Sequence, residues 1–307
     1  MPHQITPVDP RDAFPGFAAL DAEAGGVAFR GRIGGAGAPV LLLHGYPQTH
    51  FAWRRIAPAL ARSHRVIVPD LPGYGASRIR HDTPRWTKRR VAEALVALMR
   101  GLGHERFAVV GHDRGARAAY RLALDHPARV SACASLAVIP TLDAFAAVDP
   151  AFALHAWHWF FLAQPDGLPE RLLAADPDGF LDAALARMAG GLERVEPAAL
   201  DAYRRAFRDP AVRHAICEDY RAAAAEDREH DAHDLAAGRR LACPVLVLWS
   251  EAERKAAATS PVDVWSRWAD RVTGAALPGG HLLPEDAPNE VLARLGAFLP
   301  GASEPAS

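Results

Sequence analysis

The pentapeptide Gly111-His112-Asp113-Arg114-Gly115 constrains this chain more than any other segment. Before it, Phe107-Ala108-Val109-Val110 is a short, wholly apolar run of the kind that forms a strand buried on both faces of a parallel sheet. After it, Ala116, Ala119, Leu122 and Ala123 recur at helical spacing until His126-Pro127 ends the pattern. The segment reads as strand, tight turn and helix, with Asp113 on the turn. Glycines at 111 and 115 suit that reading, because a strained strand-to-helix turn exposes its central side chain only when the flanking positions are nearly side-chain-free. A plainer reading makes Asp113 the N-cap of an ordinary helix, so the rest of the chain has to decide.

Strand candidates occur at residues 26–32, 40–44, 65–69, 107–112, 133–139, 244–250 and 273–277, several of them separated by helical patterns. Such alternation predicts a mostly parallel α/β sheet. One intervening helix is clear, with Val91, Leu95, Leu98, Met99 and Leu102 forming an apolar stripe between Thr87 and Gly103. Pro39 to Pro47 reads as a strand running into a loop, able to place a backbone N–H opposite the turn. Pro69 to Ser77 is a Gly/Pro-rich loop after the strand Arg65 to Val68, and Gly280-His281 follows the last strand, Gly274 to Leu277. The order of nucleophile first and histidine last is that of the α/β-hydrolase fold. Between Pro140 and about Ala236 the alternation gives way to helical segments punctuated by Pro150, Pro165, Pro169, Pro177, Pro197 and Pro210. A stretch this long between two strands is read as a helical cap over the active site. The expected organisation is an α/β-hydrolase core at 1–140 and 236–307, with the cap at 141–235.

The 307 residues suffice for one such domain with its insert, and half being hydrophobic with 23% charged is ordinary for a globular enzyme. A net charge of −1 gives no reason to expect nucleic acid or an anionic membrane as partner; a homodimer is compatible with it. Cys133, Cys217 and Cys243 are widely separated and lack C-x-x-C spacing, which indicates neither a disulfide framework nor a zinc site. The first residues carry no basic region followed by an apolar core, and no apolar run approaches membrane-spanning length, so the cytoplasm is the expected location.

At several segments the chain resembles the fluoroacetate (haloacetate) dehalogenases. The resemblance runs through His44-Gly45-Tyr46-Pro47-Gln48-Thr49-His50, Gly111 to Arg117 and Tyr120 to Leu124. It continues into the cap at His158-Trp159, Phe161 to Pro165 and Cys217 to Arg221. It implies a halide pocket formed by His158, Trp159 and Tyr220, whose N–H and O–H donors could solvate a departing halide.

A carboxylate nucleophile suits displacement at saturated carbon, because attack gives an ester that can be hydrolysed, whereas serine would give an ether. In this scheme Asp113 attacks the carbon bearing halogen, and His281 then activates water against the ester. Backbone N–H groups of Tyr46 and Arg114 would form the oxyanion hole. Arg117 lies one helical turn after Asp113, so Arg114 and Arg117 together could hold a substrate carboxylate near the positive end of the helix. Arg121, further along, reads as a solvated surface arginine. No metal or organic cofactor is required.

One position departs from the pattern. In the resembled family the acid that supports the histidine follows the strand after the turn, and here that segment is Leu136-Ala137-Val138-Ile139-Pro140-Thr141. Ala137 cannot serve. The acid has moved to Glu253, or less well by spacing Glu251, at the end of the next core strand; or Asp143 reaches back; or the triad is incomplete. Two rival functions stand beside the dehalogenase. One is an epoxide hydrolase using Tyr203 and Tyr220 as acids, against which the arginine pair counts. The other is a non-catalytic binder of small carboxylates on a hydrolase fold.

Overall fold

The apolar runs of the sequence become the middle of one twisted sheet. A computed structural model describes residues 13–254 and 259–301, the side chains of 253 and 254 excepted. Its strands are β1 (Phe17–Ala24), β2 (Val27–Gly34), β3 (Ala38–Leu43), β4 (His64–Pro69), β5 (Arg78–Ile79), β6 (Phe107–His112), β7 (Val130–Leu136), β8 (Val245–Ser250) and β9 (Val272–Leu277). The sheet order is β1-β2-β4-β3-β6-β7-β8-β9, with β5 paired to β2. Pairing is antiparallel among β1, β2, β4 and β5 and parallel from β4 onward. The mostly parallel α/β sheet expected from the sequence is present.

Chain direction across the sheet reverses around β3. From β3 the chain moves outward to β4, then crosses back to β6 on β3's other side. The carboxyl ends of β3 and β6 therefore open a crevice at a topological switch point, where ligands of open α/β sheets bind. β6 is buried at every residue, which explains its unbroken apolar run. The helix Lys88–Gly101 carries the expected stripe, and its N-cap Thr87 accepts the N–H of Arg90 at 3.3 Å.

Between β7 and β8 the chain forms helices from Thr141–Ala146 to Glu226–Ala236. Most prolines in this stretch start helices, Pro165 excepted. Pro150, Pro177 and Pro210 each occupy a first helical position behind Asp149, Asp176 or Asp209, whose side chain caps the helix.

Arg121 corrects its sequence reading. The whole run Arg114 to Leu124 is buried in the helix Arg114–Asp125, and Arg121 pairs with Asp231 at 2.5 Å as well as with Asp234 and Asp125. Asp231 and Asp234 lie on Glu226–Ala236, which covers the outer side of this helix. A surface position in the isolated helix has become an interior one.

Candidate active site

Asp113 stands where β6 turns into the helix Arg114–Asp125, with φ 48° and ψ −115°. Positive φ at a non-glycine residue is uncommon and costs of order 1–3 kcal/mol. The surroundings fix it there. Its N–H donates to Leu136 O at 3.1 Å, and its carbonyl accepts from Ala116 and Arg117 N–H at 3.0 and 3.2 Å. The flanking glycines are obligatory for space. A Cβ at Gly111 would lie 2.4 Å from Gly115 O, and one at Gly115 would lie 2.3 Å from Leu43 O.

The two carboxylate oxygens of Asp113 differ. Oδ1 accepts the backbone N–H of Tyr46 at 2.8 Å, and Oδ2 lies 3.6 Å from His281 Nε2. Burial works to raise the Asp113 pKa, but His281, His112 and Arg114 outweigh it and hold the carboxyl well below its usual range. Arg114 is the first residue of its helix, so its N–H has no intrahelical acceptor by position.

The loop carrying His281 is held from several sides. His281 N–H donates to Met188 O in the helix Pro177–Ala189 at 3.1 Å, and its carbonyl accepts from His112 Nε2 at 2.8 Å. Ser250, ending β8, donates to Gly279 O at 2.6 Å, and Gly280 N–H donates to Asp286 Oδ2 at 2.9 Å. Burial, aided by the neighbouring His281, lowers His112 to about 4 and keeps it neutral.

The two arginines have different surroundings. Arg114 donates through Nε to Asp219 Oδ2 at 2.7 Å and through Nη2 to Asp219 O at 2.8 Å, with its guanidinium 4.5 Å above the Tyr220 ring. Asp219 also pairs with Lys88 and accepts from Tyr74 at 2.9 Å. Arg114 is thus engaged in a buried charge cluster behind the site. Arg117 faces the site. Its Nη1 donates to Thr141 Oγ1 at 3.0 Å and its guanidinium lies 4.9 Å over Trp159, while its buried Nε has no hydrogen-bond partner among the described residues. Sequence reasoning missed Asp219 as the counter-ion of Arg114, although it lies inside the quoted run Cys217 to Arg221.

A cavity of about 400 Å³ opens over Asp113 and His281. Arg117, His158, Trp159 and Ala137 line it. His158 stacks on the Tyr46 ring at 5.6 Å, and Tyr220 meets Tyr46 and His158 edge-on at 5.4 and 5.9 Å. Burial pushes His158 down to about 3, so its imidazole is neutral. Of the three expected halide donors, His158 and Trp159 are on the cavity wall, and Tyr220 packs beside His158.

Around His281, Ala137 presents a methyl group to the cavity from a left-handed backbone, φ 68°, with its N–H donating to Leu248 O at 2.8 Å. Asp143 does not reach back. It accepts from Arg267 at 2.5 Å and from Trp268 Nε1 at 2.8 Å. Glu251 is exposed, and the Glu253 side chain lies outside the described residues. Tyr203, offered as an epoxide acid, donates instead to Glu285 at 2.7 Å. No group of three or more His, Cys, Asp or Glu among the described residues could hold a metal ion, and no described helix is long and apolar enough to cross a membrane.

Residues 38–288 match the model of the α/β hydrolase fold family. A fluoroacetate dehalogenase of a Burkholderia species is 40% identical over 94% of this chain and 96% of its own length. The chain belongs to the haloacetate dehalogenase branch of the α/β-hydrolases. Other α/β-hydrolases lie near it. A soluble epoxide hydrolase of Corynebacterium is 29% identical over 84% of this chain and 88% of that protein. A solved Pseudomonas aeruginosa structure, provisionally named an epoxide hydrolase, superposes with TM-score 0.89 at 55% identity, covering 92% of this chain and 95% of that one.

Proposed function

We propose that this hydrolase converts short 2-haloacids, haloacetates among them, to 2-hydroxyacids and halide through an ester on Asp113. The observation that carries the reading is Arg117. It is a buried cation whose Nε has no hydrogen-bond partner among the described residues, and it lines the cavity that holds a carboxylate nucleophile. A neutral epoxide gains little from this charge at the cavity wall, whereas a substrate carboxylate pairs with it. Oδ2 of Asp113, free of the Tyr46 N–H, attacks the halogenated carbon, and halide departs toward His158, Trp159 and Tyr220. Oδ1 stays as the ester carbonyl oxygen on the Tyr46 N–H. When water activated by His281 attacks that carbonyl, the Tyr46 and Arg114 N–H groups stabilise the oxyanion. Ester collapse returns Asp113 and frees the hydroxyacid.

Similarity to a fluoroacetate dehalogenase supports the reaction class. The epoxide hydrolase relatives keep the second reading in view, but the turn of Tyr203 toward Glu285 leaves only Tyr220 of the two acids that reading invoked. Ion chromatography of halide from fluoro-, chloro- and bromoacetate tests the proposal, with diol formation from styrene oxide as the comparison. Diol without halide from any of the three acids would overturn it.

A further inference from the structure

The cavity is larger than a haloacetate needs. Water takes about 30 Å³ of liquid per molecule, so the five heavy atoms of chloroacetate fill at most roughly 150 Å³, well under half of the about 400 Å³ present. Waters filling the remainder would face apolar walls. Away from Asp113, His281 and Arg117 those walls include Phe152, Trp157, Phe180, Met188, Ala144 and Ala184. The rings pack on one another, Phe152 edge-on to Trp159 at 5.3 Å, Trp157, itself 45% exposed at the cavity's rim, edge-on to Phe180 at 5.7 Å, and Phe180 stacked on Phe207 at 6.1 Å. Arg187 also lines this region, but it is exposed and donates to the carbonyl of His155. The spare volume is a preformed aromatic slot next to the nucleophile.

We infer that the preferred substrates are 2-haloacids bearing an apolar, ring-sized group on the carbon under attack, an inference that rests on the haloacid reading. The eleven heavy atoms of 2-chloro-2-phenylacetate need roughly 330 Å³ on the same scale, which the cavity holds. Its carboxylate meets Arg117, its C–Cl bond points away from Asp113, and its ring lies in the slot.

Three of these placements fix handedness. Asp113 attacks from the side opposite the halogen, and with carboxylate and halogen both assigned, only one enantiomer puts the ring, rather than hydrogen, in the slot. An Oδ2 lone pair forms the new O–C bond while the C–Cl bond breaks and chloride leaves with its electron pair, inverting the carbon. Water then attacks the ester carbonyl while His281 takes its proton. The departing alkoxide recovers that proton with its C–O bond intact, and the aspartic acid left behind releases one proton to solvent.

The test is chloride release from chloroacetate and from racemic 2-chloro-2-phenylacetate by the wild-type chain. Both are expected to react, the phenyl acid with a KM lower by about tenfold because its ring leaves water for an apolar slot. Release from the racemate should stop at half conversion, giving mandelate of inverted configuration. Turnover of chloroacetate with no turnover of the phenyl acid, or with a KM no lower, overturns this inference and leaves the haloacid reading standing; release from neither removes both. Ala184→Phe narrows the slot and should raise KM for the phenyl acid at least fivefold more than for chloroacetate; equal effects on the two argue against the slot. Ligand competition gives a readout independent of turnover. Mandelate should bind more tightly than glycolate, and equal affinity counts against the proposal.

Discussion

At the scale of single residues, the unequal oxygens of Asp113 separate the two steps of the proposed reaction. Displacement of halide needs only Oδ2 and the anion site, whereas ester hydrolysis needs His281. His281→Ala is therefore expected to react once with bromoacetate and stop, adding one carboxymethyl group to the peptide that contains Asp113. Asp113→Asn should show neither adduct nor halide. Intact and peptide mass spectrometry read both outcomes, and a His281→Ala protein that remains unmodified would contradict a base confined to the second step. Ala137 sharpens the question of what supports that base. Its left-handed backbone is one that aspartate tolerates better than alanine, so the chain keeps a conformation suited to an acid while lacking the acid. If Glu253 has taken over, Glu253→Gln slows ester hydrolysis by about 10²–10⁴-fold and leaves the initial burst of halide intact. Multiple turnover at the wild-type rate in that variant would remove Glu253 from the mechanism.

At the scale of elements, the His281 loop is pinned by β8, by the helix Pro177–Ala189 and by Asp286. The last of these bonds carries a pH dependence. Burial first, then the charge of Glu285, raises the Asp286 carboxyl to about 6 from 3.8. The folded state therefore binds this proton more tightly than the unfolded chain does. Its stabilising contribution is fully present below pH 3.8 and is lost as pH rises through 6, a difference of about 2–3 kcal/mol by neutral pH. Asn keeps the acceptor for Gly280 N–H without the charge. Asp286→Asn should raise the melting temperature at pH 8 and give no gain at pH 3.5; an equal change at both would rule out the titration. Elements also mark what the sequence could reveal. The buried strands β3, β4, β6 and β8 were legible because both faces demand apolar residues. β1 was not, since Phe17–Ala24 is a largely exposed outer strand with only Leu20 fully buried, and it carries little periodic signal. Asp113 and His281 were legible from their order along the chain. The partners of Arg114 and Arg121 were hidden for a different reason: Asp219, Asp231 and Asp234 lie about a hundred residues away, and only tertiary packing brings them together.

For the molecule as a whole, these long-range pairs join the helical stretch to the sheet domain at three places. Arg54 is buried between Glu196 and Glu285 at 2.8 and 2.6 Å, Asp219 between Lys88 and Arg114, and Arg121 between Asp231 and Asp234. A buried ion pair adds little net stability relative to apolar packing, because desolvation offsets its attraction. Removing one partner is different, since the other charge is left uncompensated in the interior. Arg121→Met leaves Asp231 and Asp234 in that position, with the outer arginines Arg89 and Arg239 and the exposed His233 still near Asp234. The expected loss is about 3–5 kcal/mol, measured by denaturant unfolding. Where the loss appears is the sharper test. If these pairs hold the helical stretch on the sheet, hydrogen exchange in Arg121→Met should quicken first in Glu226–Ala236 and only later in β6. In the wild type both should exchange with the same opening free energy, as one cooperative unit. Separate opening of Glu226–Ala236 in the wild type, or a stability loss below about 1 kcal/mol in the variant, would mean that apolar packing alone keeps the helices over Asp113.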